Sequence, residues 1–485
     1  MSIGARILKN TTFLTLGDKV GYLMQFIFFL YFAKKFGVVP VGEYSFAFFF
    51  TYAFAMIASS GLSVYLIREV ARKETYDRKL FVDCLVIRVA SLIIVSLLVV
   101  GVIAIFFRDI STQKVNILIC WGVFWIFNQI ADIFLAELNG HEKMGRVAFL
   151  GVLSKLMSAV IGFILIYAGF SYDMVMVAFP VSNFFYMMAS IIVSVMTLGP
   201  IHFSFRVLNY YNRFFIKMLP FFFSVILIEL INCQDVLILG FMRDDQSVGI
   251  YSSAIKLVTF IVGVAAFVEI AIAPVLSRLF IESQEKLVDI SNQILRFLIL
   301  VSLPLSFGFV LTADKTIAML YSDSFQEASI VLKIAGWSIA VAFMQSIFSA
   351  LLTAMNRQKE KFIFIGIAFI TSNILNFIII YYLDFVGAAV VKLLTVVLSF
   401  IFFVYLVSRF LTGLSMAKVL LKPTVGCLCM SVFIYFFDHW NLFSLIPAAG
   451  SVYISVLFLL GAFSSQELLL IKVLIPARLS NKDKP

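Results

Sequence analysis

The stretch LFVDCLVIRVASLIIVSLLVVGVIAIFF occupies residues 80–107, and only Asp83 and Arg88 within it carry charge. A helix needs roughly 20 apolar residues to cross a hydrocarbon core about 30 Å thick, so this run can span a bilayer. Similar runs lie near 11–33, 43–66, 114–138, 147–169, 174–197 and 213–241. Others follow near 247–277, 293–312, 328–355, 362–383, 386–408, 418–437 and 443–463. The expected fold class is an all-α integral membrane protein of about 14 transmembrane helices. Composition agrees. The chain of 485 residues is 62% hydrophobic and 13% charged. A soluble domain is nearer half apolar and about a quarter charged. A soluble protein this apolar could not cover its own surface with polar groups, whereas lipid removes that demand. The gaps between spans leave no room for a nucleotide-binding or other soluble catalytic domain.

Charge sets the expected orientation. With the N-terminus inside, the cytoplasmic segments 1–10, 67–79, 139–146, 198–217, 278–296, 356–361, 409–422 and 464–485 hold 25 Lys and Arg. The outer loops hold 6. This positive-inside bias predicts a multi-pass protein of the cell (inner or plasma) membrane with both termini cytoplasmic. It accounts for most of the net charge of +10 without nucleic acid as a partner. No cleavable signal peptide is evident near Arg6 and Lys9. Cys84, Cys120, Cys233, Cys427 and Cys429 all fall inside spans, an odd number that reads as small apolar packers. His141, His202 and His439 lack metal-ligand spacing. Nothing calls for a metal, a catalytic residue set or a cofactor.

Two junctions between outer loop and helix read alike. Gly42-Glu43-Tyr44-Ser45 opens the second span and Gly249-Ile250-Tyr251-Ser252 opens the eighth. Six spans separate them, so the halves share one orientation, as in a parallel transporter repeat. Spans 13 and 14 fall outside the repeat.

Six cations remain inside spans: Lys19, Arg88, Lys155, Lys256, Lys333 and Lys392. Charge in lipid costs several kcal/mol, so such groups face a cavity or a partner. Lys256 sits roughly 13 Å below the outer end of its span at the helical rise. Lys256, Lys19, Arg88 and Lys155 are candidates for a cationic cavity that takes an anionic headgroup. The plainer alternative is structural pairing, for example of Lys256 with Asp235. Lys333, near an outer end, reads as a snorkelling anchor. The acids Asp18, Glu229, Asp235 and Glu269 are candidates for ion coupling, for lining the cavity, or for salt bridges. Glu229, Asn232 and Asp235 recur at steps of three, which places them on one helical face.

Several stretches carry a family likeness. Gly42-Glu-Tyr-Ser, Leu66-Ile-Arg68-Glu69-Val-Ala-Arg72, Asp235-Val-Leu-Ile-Leu-Gly240 and Gly249-Ile-Tyr251-Ser-Ser-Ala254-Ile-Lys256-Leu occur in order. Pro274-Val-Leu-Ser277-Arg278-Leu, Asn356-Arg-Gln-Lys359 and Val386-Gly387-Ala388-Ala389 follow. In this succession the chain resembles the polysaccharide transporter family of lipid-linked oligosaccharide flippases (Wzx-type, O-antigen flippase-like). That family lies in the multidrug/oligosaccharidyl-lipid/polysaccharide (MOP) exporter superfamily. The resemblance implies a six-helix lobe over 1–200, a second over 201–412, and two further helices with a tail over 413–485. It implies that the lobes form a V around a central cavity faced by Lys19, Lys256 and Asp235. The implied activity is outward movement of a polyprenyl-pyrophosphate-linked oligosaccharide by alternating access. The implied partners are that lipid, membrane lipids and other glycan-assembly membrane proteins. A cation-coupled multidrug or small-solute exporter of the same superfamily is the alternative, since acids accompany the cations. A membrane-embedded glycan enzyme is disfavoured: the longest outer loop, about 313–327, offers Asp314, Asp323 and Glu327 but one cation.

Overall fold

The structure is a computed structural model and describes residues 21–59, 61–72, 78–106, 111–201, 211–414 and 416–462. Helices dominate, and the described residues contain no strand. Helix α1 covers residues 21–36. It is followed by α2 (Val38–Ser59), α3 (Leu62–Arg72), α4 (Lys79–Phe106), α5 (Thr112–Gly140) and α6 (Met144–Tyr167). Next come α7 (Tyr172–Val175), α8 (Ala178–Leu198), α9 (Tyr211–Met242), α10 (Asp245–Glu282) and α11 (Gln284–Leu311). The remainder is α12 (Ala313–Leu320), α13 (Ala328–Ala335), α14 (Trp337–Ala354), α15 (Gln358–Ser408), α16 (Met416–Phe436) and α17 (Leu442–Leu459).

Among the described residues, 11 stretches are long and apolar enough to cross a membrane. One of them, α15, is two helices meeting at Asp384, whose φ of 54° and ψ of −138° are not helical. Helix α1 covers the described part of the expected first span and α9 covers the expected seventh, which brings the set to the expected number of about 14. Most boundaries agree to within a few residues, but α2 begins at Val38 where the second span was expected at 43, α3 runs on to Arg72, and a larger difference lies around 278–292. That segment is not a loop: α10 and α11 run on past the apolar stretch and break only at Ser283, whose hydroxyl caps α11 through the Lys286 N–H. Helical hydrogen bonding does not stop where hydrocarbon stops. The expected outer loop 313–327 likewise contains α12 and buried Tyr321 and Phe325.

The chain divides into two compact units. One comprises Met1–Ser253, Leu320–Ala328 and Phe362–Lys392. Its interior is aromatic: Phe28, Tyr44, Trp121, Phe163 and Phe179 meet at centroid distances of 4.5 to 6.0 Å. Lipid tails are as apolar as these rings, so helices in a membrane associate through close packing and polar contacts. Gly42 and Gly249 provide the closest approach. A Cβ on Gly42 would collide with the Asp245 carbonyl oxygen, and one on Gly249 with the Val38 carbonyl oxygen. Each glycine therefore lies on the carbonyl four residues upstream of the other. The two junctions with the like motif meet reciprocally where α2 crosses the start of α10.

The second unit comprises Ala254–Met319, Ser329–Lys361 and Leu393–Pro485. Helix α14 packs on α11, and α16 and α17 pack on each other and on α11. Two backbone interruptions are satisfied by side chains. The break before α14 exposes the Gly336 carbonyl and the Ala340 N–H; the Ser306 hydroxyl donates to the first at 2.7 Å and accepts from the second at 3.0 Å. Pro304 removes the N–H that would bond the Leu300 carbonyl, and the Tyr453 hydroxyl of α17 donates to it at 2.9 Å. In a bilayer every backbone group needs such a partner.

Candidate functional site

Polar side chains in the spans gather into local sets. In the first unit Arg88 of α4 is fully buried. Its guanidinium donates to Gln129, to Ser63 at 2.9 Å and to Asp132 at 3.5 Å. Toward the expected cytoplasmic side, Arg78 makes a paired contact with Glu137, at 2.9 and 2.7 Å, and reaches Ser194 and the Gly199 carbonyl. These contacts tie α3, α4, α5 and α8 together.

Asp235 of α9 is 3% exposed and held on several sides. The Lys392 ammonium lies 3.0 Å from Oδ2, the Tyr251 hydroxyl donates at 3.1 Å, and the Asn376 amide donates to Oδ1 at 3.1 Å. Its cation is Lys392, on the second arm of α15. Beside it Gln234 donates to Ser372 and accepts from Asn373.

Glu229 does not share this network. Its carboxylate accepts the Tyr52 hydroxyl of α2 at 2.5 Å. Steps of three residues fall about 60° short of a full turn each, so over six residues the stripe drifts by a third of a turn. Glu229 therefore meets α2 while Asp235 meets α10 and α15. Asn232 between them is exposed.

Lys155 of α6 is half-buried, with its Nζ 3.7 Å from the centroid of the Tyr22 ring on α1. Gly21 permits this, because a Cβ there would strike the Lys155 side chain. In the second unit Lys256 of α10 is exposed. Glu269 accepts from Ser349 and from Lys361, the latter at 3.3 Å. Lys333 reaches Asp314 at 2.7 Å, and that ammonium holds the Asp314 carboxyl below the usual carboxylate range. Lys19, Asp18 and His202 lie outside the described residues. Among the described residues no group of His, Cys, Asp and Glu could hold a metal ion.

The sequence pointed to the charges but missed their partners. Tyr52, Gln129, Asn376 and Lys361 lie far along the chain from the groups they serve, and no local pattern marks them. Tyr251 was visible as part of the repeated Gly-x-Tyr-Ser motif, though not as a ligand of Asp235.

The chain matches the family model described as polysaccharide biosynthesis protein over residues 7–280, and the MatE model over 220–381. No curated protein sequence matches it. Among solved structures, the lipid II flippase MurJ in its inward closed conformation is similar with a TM-score of 0.76 at 17% identity. That match covers 95% of this chain and 100% of the other. An inward-facing multidrug resistance MATE family transporter of the MOP superfamily gives 0.61 at 15% identity, covering 81% of this chain and 95% of that one. A MOP superfamily transporter from Pyrococcus furiosus gives 0.60 at 15%, covering 83% and 96%. The fold is shared with these solved structures, and the chain belongs to the polysaccharide biosynthesis protein family.

Proposed function

We propose that this chain is a flippase that moves a polyprenyl-pyrophosphate-linked oligosaccharide from the cytoplasmic to the outer leaflet by alternating access, for assembly of a cell-surface, O-antigen-like polysaccharide. The observation that carries this reading is the polysaccharide biosynthesis match over residues 7–280, a stretch that includes Lys19, Arg88, Lys155 and Lys256. Ammonium groups within spans suit a pyrophosphate whose lipid tail stays in the bilayer. Lys256 stands first because it is exposed on a transmembrane helix, and Lys155 second. Arg88 is better suited to holding α3, α4 and α5 together. The division into lobes 1–200 and 201–412 with a helix pair 413–485, and cytoplasmic termini, belong to the same proposal. So does contact with other glycan-assembly membrane proteins.

The test is flipping in proteoliposomes loaded with fluorescent lipid-linked oligosaccharide, with arrival in the outer leaflet read by an impermeant quencher. Arrival faster than in protein-free vesicles is expected, and equal rates would sink the reading. Lys256→Ala should slow flipping at unchanged expression.

The MatE match favours a second reading, a cation-coupled exporter using Asp18, Glu229, Asp235 and Glu269. Lys392 at Asp235 and Lys361 at Glu269 weigh against it, since each acid already has a cation at 3.0 and 3.3 Å. Gradient-driven efflux of ethidium from the same vesicles, without lipid flipping, would establish that alternative.

A further inference from the structure

Several aromatic and polar side chains of the first unit lie close together on α1, α2, α5, α6 and α9. Tyr22 of α1 is 52% exposed although it lies within a span. The Lys155 ammonium occupies one face of its ring. Three residues on, the Gln25 amide donates to Ser158 at 3.4 Å. Helices α1 and α2 are consecutive and meet where Phe29 and Phe32 pack on Tyr44, each at 5.8 Å. Tyr22 lies two turns before Phe29 and Tyr52 two turns after Tyr44, which puts both rings at one level of the antiparallel pair. The Tyr52 ring lies parallel to Phe48 with centroids 6.0 Å apart and meets Trp125 at 4.9 Å, and its hydroxyl donates to Glu229. Glu229 is half-buried; its Oε2 takes that bond, and its Oε1 accepts no hydrogen bond among the described residues. The Trp125 indole N–H is buried without an acceptor among the described residues. A native protein leaves few such donors, and each calls for a water or ligand as its partner.

From this juxtaposition of Tyr22, Gln25, Trp125, Lys155 and Glu229 we infer a carbohydrate subsite that takes an uncharged sugar ring next to an anionic carrier group. This rests on the flippase reading and names which part of the substrate the first unit recognises. A pyranose ring has an apolar C–H face and a rim of hydroxyls. The half-exposed Tyr22 ring offers a π face to the former, since aromatic faces are electronegative and attract polarised C–H groups. Glu229 offers the latter a charged acceptor, which makes stronger hydrogen bonds than a neutral one. Tyr52 orients that carboxylate. A cationic ligand would also be drawn to rings and a carboxylate, but the Lys155 ammonium already occupies a Tyr22 face and repels a second cation. The same ammonium attracts a phosphate attached to the sugar. An acidic sugar would be repelled by Glu229.

Binding to the full chain in detergent tests this, read by quenching of tryptophan fluorescence. The probes are polyprenyl pyrophosphate bearing one N-acetylglucosamine and the bare polyprenyl pyrophosphate. The sugar-bearing probe should bind about tenfold more tightly. Tyr22→Leu, which keeps bulk but loses the π face, should bring that ratio to within about twofold of one, whereas Tyr22→Phe should retain it. Glu229→Ala should narrow the ratio independently, so the proposal does not depend on one variant folding. A ratio near one in the native chain, or an unchanged ratio in both Tyr22→Leu and Glu229→Ala, overturns the subsite. Flipping of both probes is measured in parallel. Sugar-dependent binding without flipping of either probe keeps the subsite and refutes the flippase reading; flipping with equal affinities does the reverse.

Discussion

Asp235 keeps a carboxylate in a membrane-spanning helix because Lys392, Tyr251 and Asn376 surround it. Removing one member of a buried ion pair strands the other, at a cost of about 3–5 kcal/mol, while removing both together costs far less. Lys392→Met should therefore lower the unfolding midpoint in detergent sharply, and Asp235→Asn combined with Lys392→Met should recover most of the loss. Equal midpoints for the native chain and Lys392→Met would mean that the pair contributes nothing. The same residues mark the limit of sequence reading at this scale. A charge inside an apolar run is conspicuous, so Asp235 and Lys392 were both visible. That they face each other depends on how α9 packs against α15, and no spacing along the chain encodes that. Glu229 taught the same lesson: its stripe with Asp235 looked like one face until helical drift divided it between two neighbours.

Elements make their contacts through backbone as much as through side chains. Gly42 and Gly249 let α2 and α10 touch, and both were legible as a repeated motif. Their reason, a carbonyl where a Cβ would be, was not. Gly42→Ala should cost about 1–3 kcal/mol, the range for overpacking. Gly101→Ala, where nothing lies within 4 Å of the added carbon, should leave the melting midpoint unchanged or slightly raised. Indistinguishable melts for the two variants would refute the close crossing. Helix α17 gives a sharper case. Tyr453 bonds the Leu300 carbonyl that Pro304 leaves free, so Tyr453→Phe should destabilise by about 1–3 kcal/mol, the penalty for an unsatisfied buried group. In a Pro304→Ala background the backbone supplies its own donor, and Tyr453→Phe should cost markedly less. A double-mutant cycle with no coupling would show that the bond does not serve the proline. Span boundaries were legible because hydropathy measures what lipid measures. The polar extensions of α10 and α11 were not, because helix formation past the bilayer leaves no apolar trace.

At the scale of the whole chain, about 14 spans, the order of motifs and the positive-inside bias were all in the sequence, since each is a property of composition along a line. The proposed cargo is an anion, and its charge can be tested without further knowledge of its chemistry. An inside-negative potential favours outward movement of an anion by about 2.3 kcal/mol per charge per 100 mV. It opposes outward movement of a cation by the same amount. A pyrophosphate-linked substrate leaving the inner leaflet should therefore be accelerated when valinomycin and a potassium gradient make the vesicle interior negative, and slowed when the gradient is reversed. An inward counter-cation moving in the same cycle would add to the effect and not reverse it. Exchange of a singly charged cationic drug for one inward proton is electroneutral and should show no such dependence. The measurement is the initial flipping rate at several imposed potentials, in vesicles selected for uniform protein orientation. A rate that rises with interior negativity supports an anionic headgroup moving outward. A flat response excludes net charge movement in the rate-limiting step, and a falling one excludes outward anion transport as the source of the potential dependence.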